Sequence, residues 1–373
     1  MKHIFLTFLF ICFVQMSFAQ AEPAKTIDDR IPVRGLAIPV PSVQGLDAFL
    51  QFIEKDLAPA QFNMLILRVD WNYAYENHPE LRNPNPLTKS DAKKILSVCR
   101  KHNIKVVPEV NLLGHQSWAK NTFKLLSVYP EFDETPHVKT ENYTEFPNPD
   151  GLYCKSYCPL HPDVHKVVFA LVDELMDAFE ADYFHAGMDE VFYIGDDNCP
   201  RCGGRDKAEL FAGELTKIQN HLSQKNRRLM IWGDRLIDGK TTGIGMWEAS
   251  MNQTYRAIDL IPKEVFICDW HYKRADLTNV YFAMKGFDVA SCSWNTPEAA
   301  AQQIKDMVDF RQRSVPVMGN RFQGLIQTVW AGADRFLPVY YDPETDKVQE
   351  KENPLASNAR TLKRVMQEFV KLK

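Results

Sequence analysis

The sequence predicts an α/β fold, a closed (β/α)8 or TIM barrel forming a single domain with a long insertion after strand 3, and three observations carry the prediction. Eight short apolar runs alternate with longer segments whose apolar residues recur at helical spacing. Carboxylates, histidines and tryptophans gather where those runs end, as they do at the strand exits that share one functional face of a barrel. The chain of 373 residues carries no linker or low-complexity tract, and its length suits one large barrel with insertions.

Taken in order, the chain opens on "MKHIFLTFLFICFVQMSFAQ". Lys2, an apolar run of about a dozen residues and the small-x-small site at Ser17 and Ala19 read as a cleavable signal over 1–19. Residues 20–32 are then an N-terminal extension and 33–373 the barrel, expected to be secreted or periplasmic. No later stretch approaches roughly 18 uninterrupted apolar residues, so no transmembrane segment is expected. Strands are predicted at 34–40, 63–69, 104–110, 181–187, 228–234, 264–270, 287–294 and 324–330. Helices are predicted from Leu46 to Leu57, Lys89 to His102, Val164 to Phe179, Ala208 to Gln224, Pro297 to Phe310 and Ala356 to Val370, with a weaker one over 274–285. The insertion, roughly residues 111 to 163, is rich in Pro, Asn and Tyr and long enough to wall a cleft.

The net charge of −4 is mild and no Lys/Arg cluster outlines a nucleic-acid partner. Five of the seven tryptophans, Trp71, Trp232, Trp270, Trp294 and Trp330, fall at or just past strand ends. Aromatic rings around carboxylates suit a carbohydrate, whose C–H faces stack while its hydroxyls need charged partners. The carboxylates are Asp70, Glu109, Asp234, Asp269 and the adjacent Asp189 and Glu190 in "FHAGMDEV". Two neighbouring acids in an aromatic pocket resist ionising together, so one can keep its proton near neutral pH. On a strand they would point to opposite sides, but at a strand exit the chain turns and both can reach the mouth. Glu109 in an apolar strand is costly unless paired.

Eight cysteines include Cys12 in the leader and two close pairs, Cys154 with Cys158 and Cys199 with Cys202. The second pair has the C-x-x-C turn of a metal knuckle, and two such pairs can build a tetrahedral structural zinc site. Export favours disulfides instead, and both readings stay open. Cys99, Cys268 and Cys292 sit in apolar patterns as small buried hydrophobes.

These segments resemble glycoside hydrolase family 20, the β-N-acetylhexosaminidases. "FHAGMDEV" is similar to that family's H-x-G-G-D-E signature on the fourth strand, and "VPEVNLLGH" to its strand-three segment at Pro108, Glu109, Gly114 and His115. "NMLILRVDWNY", "IWGD", "DWHY" and "QTVW" look like its other strand exits. The resemblance implies substrate-assisted retention, in which the sugar's own 2-acetamido oxygen attacks the anomeric carbon. Glu190 would be the general acid and Asp189 would orient the acetamido group and stabilise the oxazolinium. His185, Glu109 and His115 would support them; Trp232, Trp270, Trp294, Trp330, Tyr272, Asp70 and Asp234 would line the sugar site. No cofactor is implied for catalysis, and the partner is a glycan containing N-acetylhexosamine.

The sequence departs from the family where the terminal sugar is gripped. Pro39 stands at the first-strand Asp position, the Arg that follows it in the family is absent, Gly332 replaces a strand-eight Glu, and Met188 replaces the second signature glycine. The small N-terminal α/β domain usual in the family is missing. Arg68, Tyr73 and Tyr272 are candidates for replacement contacts. Two other readings remain: a glycosidase using Glu190 with Glu109 or Asp269 on a sugar lacking the acetamido group, and a carbohydrate-binding barrel without turnover. The N-x-T sequons at Asn142 and Asn252 matter only in a eukaryotic secretory pathway.

Overall fold

The structure, a computed structural model, describes residues 26–139, 154–342 and 354–373. The leader and Asn142 lie outside the described residues. Eight parallel strands close a barrel: β1 (Val33–Pro39), β2 (Met64–Arg68), β3 (Lys105–Leu112), β4 (Tyr183–Gly187), β5 (Arg228–Trp232), β6 (Phe266–Trp270), β7 (Asp288–Ser293) and β8 (Phe322–Thr328). Each pairs with its sequence neighbours, and β8 returns to β1.

The period of two in each strand divides the side chains. Ala37, Ile66, Val107, Met230, Ala290 and Ile326 pack inside the barrel, and Leu36, Ile38, Leu65 and Leu67 pack outward with the helices. The interior has no spare room at Gly35, where a Cβ would lie 2.8 Å from Ile326. At the N-terminal end of the strands, Arg228 pairs with Asp288 at 3.1 Å and lies over the Tyr183 ring at 5.5 Å. The opposite end holds the predicted site residues.

Around the barrel run α1 (Leu46–Phe52), α2 (Lys89–Lys101), α3 (Val164–Ala178), α4 (Lys207–Ser223), α5 (Thr278–Met284), α6 (Pro297–Arg313), α7 (Ala333–Tyr341) and α8 (Pro354–Lys371). Their starts follow local chemistry. Thr88 and Asp91 form a capping box, Asp206 accepts from the Ala208 and Glu209 amides, and Pro297 occupies the first turn of α6. The sequence predicts no helix after β5 or directly after β8. Between β5 and β6 there are only short turns of helix, because Gly239, Gly243 and Gly245 interrupt any longer run. Helix α7 was hidden by Pro338, which it accommodates internally.

Between β3 and β4 the register slips, with Glu109 opposite His185 but Leu112 opposite Gly187. The extra residue is a bulge that re-aims the strand end. The chain then forms a two-residue hairpin (Ser117–Trp118 with Asn121–Thr122) and a short helix (Lys124–Val128) before the part of the insertion outside the described residues.

Candidate active site

The turn after β4 answers why two adjacent acids can share one side. Gly187, Met188 and Glu190 take φ of +65°, +65° and +48°, so the chain leaves the strand alternation at once. Non-glycine residues held at positive φ carry a strain of about 1–3 kcal/mol that surrounding packing must offset. A Cβ at Gly187 would lie 2.4 Å from Asn111 Oδ1, so this position needs glycine for space as well as φ. The result is that His115 Nε2 lies 3.0 Å from Asp189 Oδ2 and 3.2 Å from Glu190 Oε2. His115 sits at φ +51° in a loop packed on this turn, where a Cβ on Gly114 would meet Asp189 O at 2.8 Å.

Burial opposes a proton on His115, but the Asp189 charge and the contact with Cys154 outweigh it and hold the imidazole well above its usual value. Cys154 Sγ lies 3.2 Å from His115 Nδ1, and burial pushes that thiol up to about 12. The sulfur is therefore neutral, and Asp189 supplies the charge that keeps His115 protonated. Burial would raise Asp189 too, yet the His115 charge and hydrogen bond bring it below the usual carboxylate value. Its Oδ1 is buried without a hydrogen-bond partner, an open acceptor beside Glu190.

Two networks hold this centre. Asp234 Oδ2 accepts from the Glu190 amide at 2.9 Å and from Arg235 Nε at 2.6 Å, while Oδ1 accepts from Trp270 Nε1 at 3.1 Å. Burial pushes Asp234 up to about 6, with Arg235 pulling it back, so at neutral pH it is the anion its three donors require. Below, Trp232 Nε1 donates to Glu109 Oε1 at 3.3 Å. Burial raises Glu109 to about 8, which makes it a neutral acid at pH 7. His185 packs 4.4 Å from the Trp232 ring, and its Nδ1 accepts from the Gly187 amide. Burial lowers His185 to about 3, leaving a neutral ring with its proton on Nε2.

The aromatic wall is continuous. Trp330 Nε1 donates to the Tyr272 hydroxyl at 2.9 Å, Trp232 lies 5.5 Å from Trp330, and Tyr272 packs against Trp270 and edge-on to Trp294. Arg68 lies over Trp330 at 5.6 Å and 3.5 Å from Asp70, whose Oδ1 accepts from the Asn111 amide. Asp70 sits with the group, and Asn252 braces the stretch after Glu190 by donating to the Val191 and Phe192 carbonyls, which leaves that sequon nitrogen occupied.

Other expectations need correction. Trp71 and Tyr73 pack in the outer core, since the turn after β2 carries them off the mouth. Asp269 faces outward to Thr278 at 2.7 Å and His271 at 3.2 Å, because its neighbour Trp270 takes the inward position. The cysteine quartet of Cys154, Cys158, Cys199 and Cys202 does not assemble. Cys154 is drawn to His115, and Glu134 takes the fourth place beside the other three. No disulfide forms among the described cysteines. Sequence reasoning also missed Arg235, which is buried behind Asp234 and donates to the Met246, Trp247 and Ala249 carbonyls. An Arg directly following a strand-end Asp in an apolar run was its signal.

Among known proteins, a lacto-N-biosidase from Bifidobacterium bifidum is 24% identical over 217 residues, covering 54% of this chain and 17% of that protein. A beta-hexosaminidase from Akkermansia muciniphila is 27% identical over 152 residues, 39% of this chain and 29% of that protein. Hexosaminidase D from Bos taurus is 23% identical over 184 residues, 47% of this chain and 48% of that protein. The matched stretches thus span less than half the length of these relatives. In fold, the chain is similar to a crystal structure of a beta-N-acetylhexosaminidase, with a TM-score of 0.62 at 17% identity over 92% of this chain and 76% of that one. It is also similar to a Flavobacterium johnsoniae chitobiase, with a TM-score of 0.60 at 17% identity over 92% and 52%. Residues 70–314, well over half of the sequence, match the family described as glycosyl hydrolase family 20, catalytic domain, and this chain belongs to that family.

Proposed function

We propose that the chain is an exported retaining glycosidase that cleaves β-linked N-acetylhexosaminides with the help of the substrate's acetamido group. The supporting observation is His115 Nε2 at 3.0 Å from the Asp189 carboxylate and 3.2 Å from the Glu190 carboxyl group, with a buried Asp189 oxygen left without a hydrogen-bond partner. In the first step Glu190 gives its proton to the leaving oxygen as the acetamido oxygen bonds to the anomeric carbon. Asp189 Oδ1 accepts the acetamido N–H, and its charge offsets the positive oxazolinium that forms. Glu190, now a carboxylate, takes a proton from the water that opens the ring, and two inversions leave retained configuration. His115 Nε2–H stabilises the anionic form of Glu190 between the steps.

The wall of Trp232, Trp270 and Trp330 suits the acetamido methyl and the sugar face, and Arg68 with Asp70 offers polar contacts for hydroxyls. The alternative with two enzyme carboxylates loses ground. Glu109 is a neutral acid at pH 7, and Asp269 faces α5. The apolar leader at 1–19 supports export, and no helix among the described residues is long and apolar enough to cross a membrane.

Purified chain assayed on aryl β-N-acetylhexosaminides, with and without a thiazoline mimic of the oxazolinium, tests the proposal. Hydrolysis blocked by the thiazoline, with kcat lowered about 10²–10⁴-fold in Glu190→Gln, is expected. Turnover of non-acetamido glycosides unaffected by thiazoline would replace it with the two-carboxylate mechanism. Binding without turnover in the parent would make the chain a lectin-like barrel.

A further inference from the structure

Glu134, Cys158, Cys199 and Cys202 come from three separate stretches of chain and meet away from the catalytic centre. All four are buried, and one carboxylate oxygen and three Sγ atoms lie within 4.8 Å of one another. Cys158 Sγ is 3.1 Å from Cys202 Sγ and 3.6 Å from Cys199 Sγ. We propose that these four side chains bind a zinc ion in a tetrahedral Cys3Glu site that clamps the insertion after β3 to the loop after β4.

The argument rests on what each alternative leaves unsatisfied. A disulfide would join two sulfurs and leave the third, together with Glu134 Oε2, which is buried without a hydrogen-bond partner. A buried, unpaired carboxylate oxygen is costly, whereas one dication satisfies all four groups together. Around a zinc ion with Zn–S near about 2.3 Å, tetrahedral sulfurs stand about 3.8 Å apart, so the cluster needs only a small expansion.

The surroundings are arranged as metal ligands require. The Asp196 amide donates to Glu134 Oε1 at 3.0 Å and fixes the carboxylate, and the Cys202 amide donates to Cys199 Sγ at 3.4 Å in the C-x-x-C turn. Three thiolates, one carboxylate and Zn2+ leave a formal charge of about −2, which Arg201 Nε, donating to Cys158 Sγ at 3.4 Å, partly offsets. A set dominated by sulfur selects zinc over calcium or magnesium. On binding, the thiol protons pass to solvent. The ion would join Cys158, four residues after the Cys154 that backs His115, to the segment that continues from Glu190.

The test is elemental analysis of the full chain after dialysis, with cobalt(II) substitution and a thiol count in denaturant with chelator. About one zinc per chain, a thiolate-to-cobalt charge-transfer band with tetrahedral d–d absorption, and a full complement of free thiols are expected. Glu134→Gln should weaken zinc retention against a chelator about 10–100-fold. Cys199→Ser should lose the charge-transfer band, and should that variant fail to fold, the metal content and thiol count of the parent still decide. A chain without zinc, whether its thiols are two short or all free, overturns the site. Zinc retention unchanged in Glu134→Gln overturns the fourth ligand.

Discussion

Glu109→Gln isolates the energetic cost of a carboxyl group inside the barrel. Burial is the largest influence on Glu109, partly countered by Arg68 and reinforced by Asp70 and Asp189, and it lifts the group from 4.5 to about 8. A carboxyl raised in the folded state contributes stability that is fully present below about 4.5 and lost as pH rises through about 8. Across that window the folded chain keeps one proton that the unfolded chain releases. One proton over about 3.5 pH units, at about 1.36 kcal/mol per unit, comes to about 5 kcal/mol. Glutamine has nearly the same shape, still accepts from Trp232 Nε1 and cannot ionise. The wild type should therefore lose about 4 kcal/mol of that relative to Glu109→Gln between pH 5 and pH 9. With a urea slope of about 3 kcal/mol/M, the midpoint difference between the two proteins changes by about 1.3 M across that range. Urea titrations followed by tryptophan fluorescence at several pH values measure this difference directly, and at pH 6 the variant should retain activity. Parallel stability curves from pH 5 to 9 would show that Glu109 is ionised in the folded barrel and refute the reasoning.

Three further outcomes follow from the geometry. Asp234→Asn leaves Arg235 buried without its counter-charge and loosens the Glu190 amide, so thermal melts should show a loss of about 3–5 kcal/mol and kinetics a lower kcat; unchanged values for both would remove Asp234 from the support of Glu190. Arg68→Ala should raise KM about tenfold or more with kcat little changed, as for a lost charged contact to substrate, and a fall confined to kcat would contradict that role. Asp269→Asn should lower the melting temperature through the loss of its Thr278 and His271 contacts but leave kcat intact, and a collapse of kcat would revive the two-carboxylate reading.

The barrel was legible because strand and helix periods are local. All eight strand windows coincide with observed strands to within a few residues, and the helices with N-terminal caps or Pro begin close to where their sequences place them. Asp189 and Glu190 were legible as a pair, but the left-handed turn that makes them neighbours in space was not written in their spacing. Asp269 shows a signal that strand alternation contained: with Trp270 inward, its neighbour has to point out. Glu134 shows the opposite case. It sits in an insertion without periodicity, and only the folded chain places it beside three cysteines 24 to 68 positions away while Cys154 goes to His115. Arg235 lay between these cases, since its neighbour Asp234 was visible and its burial was not.

The missing first-strand Arg and strand-eight Glu have a structural counterpart at the rim. After β1, the Ser42 amide and hydroxyl donate to Asp334, in the first turn of α7, at 2.7 and 3.0 Å. A Cβ at Gly45 would fall 1.7 Å from the same carboxylate, so this contact fixes a glycine as well. The carboxylate after β8 is thus engaged by the loop after β1, and a hydroxyl stands near where the family carries a charge. The cation comes from β2, where Arg68 reaches across to Trp330 and its carbonyl at 3.4 Å. Arg68 also lies 3.5 Å from Asp70, so the cation and the carboxyl group form one polar pair beside Trp330 at this rim.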